Sequence, residues 1–157
     1  MKTEFTFRDP GELVDGDLQL VLVRKHPGDP ARGYVPEYIF DMRRVGHPGR
    51  IGEIALKIGD LLEYVGHLQY CVLPEHRGHR SASRACRLLV PLARQHGMAE
   101  IVVTCLPDNA ASKRTCELAG ATFVGMVDVP DEGVDDYHKN IECKCKYILK
   151  TEETDNQ

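Results

Sequence analysis

Residues 70–85, Tyr-Cys-Val-Leu-Pro-Glu-His-Arg-Gly-His-Arg-Ser-Ala-Ser-Arg-Ala, constrain the fold more than any other part of the chain. An apolar extended run closes at Pro74, a short turn carries Arg77, Gly78, His79 and Arg80, and a helical pattern opens near Ser81. A strand that feeds a helix through a basic, glycine-containing turn aims free backbone N–H groups and the positive end of a helix dipole at one point. Such a point is an anion site. Between His76 and Ala99 there is no Asp or Glu, whereas Arg77, Arg80, Arg84, Arg87 and Arg94 all fall inside. With a formal net charge of −4 over the whole chain, that local excess needs a cause. The plainer alternative is a strand–helix connection whose arginines are simply solvated.

The 157 residues suit one domain over 1–150, followed by a flexible tail at 151–157. No apolar run is long enough to span a bilayer, and the first residues lack a signal-peptide core. No membrane partner and a cytoplasmic location are therefore expected. The six cysteines lie mostly in apolar stretches without Cys-x-x-Cys spacing, which predicts buried free thiols and no metal site. A pI near 6.0 argues against a nucleic-acid partner.

Along the chain, residues 3–8 and 18–23 read as strands, and 26–33 as a loop that either borders an acceptor site or merely connects. Residues 38–45 and 50–58 form a hairpin about Gly46-His47-Pro48-Gly49. Glu53 lies on its polar face, as a base on a substrate-facing surface or as an ordinary solvated carboxylate. Residues 64–73 form the next strand, in which Gly66 marks a bulge or a close approach. His67, Gln69 and Cys71 share one face of it. Residues 81–96 are helical, with Pro91 either kinking the helix or marking a shorter one. Residues 99–105 are a buried strand, a second helix runs to about Ala119, and 123–129 and 141–149 are strands flanking the acidic loop 131–136. A strand–helix–strand order predicts parallel pairing of the two strands around the first helix.

The order of Val72, Pro74, Arg77, Gly78 and Ala82 resembles the motif Val-x-Pro-x-x-Arg-Gly-x-Gly-x-Ala, which cradles the pyrophosphate of coenzyme A in the GCN5-related N-acetyltransferase (GNAT) family. Arg80 departs from it, standing where the family usually has Gly. Arg80 either narrows the loop or adds its own guanidinium to the phosphate, and the second is preferred. Asn109-Ala110-Ala111-Ser112 resembles a second family segment, which opens the helix after the splayed strand.

The resemblance implies an α/β (α+β) fold: a mixed, mostly antiparallel central sheet with a parallel splayed strand pair and flanking helices. It implies acetyl-CoA as co-substrate, held by Cys71, Val72, Arg77, Gly78, His79, Arg80, Ser81 and Ala82 and, along the pantetheine arm, by Asn109, Ser112 and Lys113. The implied reaction is direct acetyl transfer from the thioester to a primary amine of a small molecule or peptide. His67 or Glu53 would remove the amine proton, directly or through water, and a backbone N–H of Cys71 or Val72 would meet the oxyanion. Many members carry a Tyr seven residues after the Asn to protonate the departing thiolate. Here that position is Cys116, either a thiol donor or a small core residue. A non-catalytic module that binds CoA or acyl-CoA is the alternative, and dimers, frequent in the family, leave a homodimer open.

Overall fold

Apolar side chains at every second position make the first sheet one-sided. In the computed structural model, which describes residues 5–152, β3 (Glu37–Arg44) buries Tyr38, Phe40 and Met42, and β4 (Arg50–Lys57) buries Ile54 and Leu56 on the same face. With β1 (Leu13–Asp15), β2 (Leu18–His26) and β5 (Leu68–Val72) they form a five-stranded sheet in sequence order. A second sheet has the order β6 (Glu100–Cys105), β8 (Cys143–Lys150), β7 (Thr122–Asp128). Helix α1 (Ser81–Leu88) buries Ala85 and Cys86 against the first sheet, and α3 (Ala110–Ala119) buries Cys116 and Ala119 beside α1 and β6.

Several expectations are met within a residue or two, including the hairpin, the buried strand and the helix that ends at Ala119. The helix expected over 81–96 is two helices, because Pro91 sits in the first turn of α2 (Val90–Gln95), where its missing N–H has no carbonyl to lose. The strand expected over 64–73 begins only at Leu68, since Tyr64–Gly66 turns toward the second sheet. Phe5–Arg8 is irregular, and the rest of the strand expected at 3–8 lies outside the described residues. The tail expected from 151 starts anchored. Thr151 is buried, its N–H donates to Ala99 O (3.1 Å) and its hydroxyl to Met98 O (2.6 Å). Residues 153–157 lie outside the described residues.

The parallel pairing expected around α1 forms no ladder among the described residues; every ladder is antiparallel. β5 and β6 touch at one point. There His67 N–H donates to Val102 O (2.7 Å), and the Val102 N–H donates back to His67 Nδ1 (2.9 Å). A Cβ on Gly66 would lie 3.0 Å from Thr104 N and 3.1 Å from Val102 O, so glycine is what lets the two backbones meet. Thr104 Oγ donates to Tyr64 O (3.3 Å) beside this clasp; no other hydrogen bond joins β5 to β6 among the described residues, and a cleft opens.

Candidate active site

The cleft lies between β5 and the loop joining β7 to β8, and β5 leads from it to the turn before α1. In that turn Gly78 has φ +92° and Arg80 has φ +58°, ψ +26°. Arg80 thus holds the left-handed conformation that a glycine would adopt there. α1 has no side-chain cap, and its first intrahelical bond is Arg84 N–H to Arg80 O (3.1 Å), so the N–H groups of the first turn are open. Behind them the buried Ser81 hydroxyl has no hydrogen-bond partner among the described residues.

The arginine excess divides by use. Arg84 bridges Asp15 (3.0 Å) and Asp17 (2.8 Å), Arg87 donates to Ala119 O (2.8 Å) and Arg94 to Thr151 O (2.7 Å). These three tie α1 and α2 to their surroundings. Arg77 and Arg80 remain exposed at the turn; Arg77 Nε donates to Val72 O (3.1 Å), and Arg80 forms no ion pair among the described residues. His79 and Ala82 flank them.

Along β5, hydrogen bonds from Leu73 N–H to Ile51 O (2.9 Å) and from Lys57 N–H to His67 O (2.8 Å) fix the parity of the ladder with β4. The backbone groups of Gln69 and Cys71 therefore face β4, and those of Tyr70 and Val72 face the cleft. Of the two oxyanion candidates, Val72 has an N–H directed there. Cys71 does not, because its N–H serves the ladder opposite Glu53.

The middle of the cleft is a cavity of about 310 Å³ lined by Tyr70, Asn109 and Ser112 on one side and by Lys57, His138 and Lys144 on the other. The Tyr70 hydroxyl lies 2.8 Å from Ser112 Oγ and 3.8 Å from Cys116 Sγ. Burial raises the Tyr70 pKa, so the phenol keeps its proton at neutral pH. Burial likewise pushes the Cys116 thiol up to about 11. Asn109 Oδ1 caps α3 by accepting from Ser112 N–H (3.0 Å), which aims Ser112 at Tyr70; Lys113 follows, half-buried.

The two nominated bases lie elsewhere. His67 is buried, with Nδ1 accepting from Val102 N–H (2.9 Å) and Nε2 directed at Gly59 O (2.8 Å). Both ring nitrogens are engaged, and burial lowers its pKa. His67 is the clasp between the sheets, with no lone pair left for an amine. Glu53 sits on the outer face of β4 between Arg24 (3.3 Å) and Arg50 (3.6 Å), away from Tyr70.

Residues 19–122 match the family model of the acetyltransferase (GNAT) domain. The chain belongs to the GNAT acetyltransferase family. No curated relative matches the sequence. Among solved structures, the GNAT fold of this chain is similar to the microcin C7 self-immunity acetyltransferase MccE in complex with acetyl-CoA and AMP, at TM-score 0.56 and 17% identity, over 73% of this chain and 61% of that one. The chain thus spans about three fifths of that neighbour's length. It is also similar to YncA, a putative acetyltransferase from Salmonella typhimurium with its cofactor acetyl-CoA (TM-score 0.53, 19% identity, 76% and 67% covered). A third is the Salmonella typhimurium enzyme that modifies the N-terminal serine of ribosomal protein L7/L12 (TM-score 0.56, 17% identity, 76% and 66% covered). At these identities the likeness carries the fold.

Acetyl-CoA is the co-substrate of the GNAT family, and the residues here fit it. The partnerless buried Ser81 hydroxyl, the open N–H groups of α1 and the unpaired Arg80 suit a pyrophosphate, and the free edge of β5 suits an amide-bearing arm. Three residues of the cleft were missed in the sequence. Tyr70 reads as one more apolar strand position, His138 lies between the acidic loop 131–136 and the last strand, where no role is read, and Lys144 looks like a surface lysine of that strand. No three His, Cys, Asp or Glu side chains among the described residues are grouped to hold a metal, and no helix among them is long and apolar enough to cross a membrane.

Proposed function

We propose that the protein transfers an acetyl group from acetyl-CoA directly to a primary amine of a small molecule or peptide. The observation that carries this reading is the succession, along β5 and the turn that follows it, of a buried phenol–hydroxyl pair, an unpaired strand edge and a basic turn with open N–H groups.

Acetyl-CoA supplies the activated acyl group; the protein supplies position and polarity. Arg77, Gly78, His79, Arg80, Ser81 and Ala82 hold the phosphates, and Asn109, Ser112 and Lys113 border the arm. The Val72 N–H faces the oxyanion. Tyr70 takes the acid role for which Cys116 was one candidate in the sequence. Its proton stays on at neutral pH, Ser112 orients it, and the Cys116 thiol, more deeply buried, packs against it.

Next to this cavity lies a second of about 900 Å³, which shares Lys57, Val65 and Asp135 with it. Asp29, Glu37, Asp60 and Asp135 line it beside the exposed Tyr34 and Leu62. Carboxylates with apolar surface suit a cationic amine on an apolar body, such as a peptide N-terminus, the kind of acceptor modified by the L7/L12 enzyme. The loop 26–33 thus borders the acceptor side in this reading. The test is amine-dependent release of CoA thiol from acetyl-CoA, screened over amines and peptides. Turnover that Arg77→Glu suppresses is the expected result; binding of acetyl-CoA without turnover on any amine would make the chain a non-catalytic module.

A further inference from the structure

We propose that Lys144, His138 and Asp135 form the route by which the acceptor ammonium loses its proton, with Lys144 Nζ taking it inside the cleft. This rests on the acetyl-transfer reading above and supplies the base that neither His67 nor Glu53 can be.

The three groups make a chain from cavity to solvent. Lys144 and His138 are each 4% exposed and both line the central cavity. Lys144 Nζ lies 3.2 Å from His138 Nε2, and His138 Nδ1 lies 2.7 Å from Asp135 Oδ1. The Asp135 side chain is 66% exposed and lines the neighbouring acceptor cavity as well. The imidazole is held firmly. Asp135 accepts from both its backbone N–H (2.9 Å) and its ring, and the rings of Tyr64 and Tyr137 pack edge-on at 5.0 and 4.9 Å. With the proton on Nδ1, Nε2 turns a lone pair to Lys144.

A buried ammonium with three donors and a single neutral partner is badly satisfied, and no carboxylate lies within ion-pair distance of Nζ among the described residues. Burial lowers the Lys144 pKa, against smaller opposite effects of Cys105 and Asp135, and nearby Lys57 adds a still smaller lowering. The groups facing Nζ are Lys57 from β4, Cys105 from β6, and Asp135, Tyr137 and His138 from the loop, with the Tyr137 ring 5.4 Å away. Burial and the lack of a carboxylate partner make this ammonium easier to deprotonate than an exposed lysine's, and the amine so formed carries a lone pair into the cleft. One N–H bond of the acceptor ammonium breaks as one forms on Nζ; the acceptor keeps the electron pair with which it attacks. Lys144 then passes a proton to His138 Nε2 while His138 Nδ1–H moves toward Asp135 and solvent, which restores the neutral lysine.

The test compares wild type, Lys144→Met and Asp135→Asn with two acceptors, 2-phenylethylamine, which is protonated at neutral pH, and hydroxylamine, which is not. Acetyl-CoA affinity by titration calorimetry and the ¹⁵N signals of the histidines are read alongside. Lys144→Met should keep acetyl-CoA affinity within about twofold and shift the His138 signals. It should slow 2-phenylethylamine about 100-fold at pH 7, with recovery as pH rises, and hydroxylamine less than about threefold. Asp135→Asn should slow the alkylamine about tenfold, with the same selectivity. Equal losses on both acceptors, unchanged rates, or a wild type that binds acetyl-CoA yet acetylates neither would overturn the proposal. So would acetylation of Lys144 itself as the product. A wild type that fails to bind acetyl-CoA would instead refute the underlying transferase reading, and the relay with it.

Discussion

A phenol that keeps its proton, 2.8 Å from a serine hydroxyl and within the same cavity as an open strand edge, is placed to give that proton to a departing thiolate. Tyr70→Phe removes one oxygen and preserves the ring. It should lower kcat about 100-fold while acetyl-CoA affinity stays within a few-fold, checked by steady-state kinetics and calorimetry; an unchanged kcat would reduce Tyr70 to a packing residue. His67 belongs to stability instead. His67→Leu leaves the Val102 N–H without its acceptor and should cost about 2 kcal/mol in urea unfolding. Because burial lowers the His67 pKa, the unfolded chain binds the extra proton first. Its contribution is full above the ordinary value of 6.5 and is lost as pH falls below it, so wild-type stability should drop from pH 7 to 5 and the variant should drop less. The sequence showed a histidine beside a glycine near the cofactor motif, but the partners that decide its role, Gly59 and Val102, are set by tertiary contact. Tyr70 was hidden for the same reason, since Ser112 is 42 positions away.

The turn before α1 was the most legible element, because a βα turn with arginines and glycine has few other uses. What the residue pattern could not give was the conformation of Arg80. Its left-handed backbone carries a steric cost that a glycine would not. Arg80→Gly should therefore stabilise the fold by about 1 kcal/mol while weakening acetyl-CoA binding about fivefold through the lost guanidinium. Tighter binding in the variant would mean that the arginine obstructs the phosphates. Ahead of β5, Gly66 was read as a bulge or a close approach, and the structure resolves it as the latter. Gly66→Ala drives a methyl into the backbone of residues 102–104, and about 2 kcal/mol of destabilisation should follow in the same unfolding measurement. The stretch after the acidic loop 131–136 was the least legible. Nothing in its residues marks a site, yet His138 and, on β8, Lys144 are buried there, with the Tyr64 ring packed against His138.

As a whole, the molecule is two antiparallel sheets joined by helices and by one clasp, with the active cleft at the seam. Alternation and helix periodicity located most elements. They could not show that the strands around α1 would diverge instead of pairing, because that depends on long-range register and on a single glycine contact. The seam also makes the fold responsive to its ligand. In the proposed binding mode acetyl-CoA spans it and binds only the native state, so at about 100 times its Kd it should add about 2.7 kcal/mol of stability, visible as a raised Tm. The central claim is that this seam holds acetyl-CoA by the turn at Arg77–Ser81 and the edge of β5. Isothermal titration with acetyl-CoA of wild type and Arg77→Glu tests it most directly. Micromolar binding by wild type, weakened about tenfold or more by the charge reversal, is the result the account predicts. Absence of binding, or equal affinity in both proteins, would contradict it.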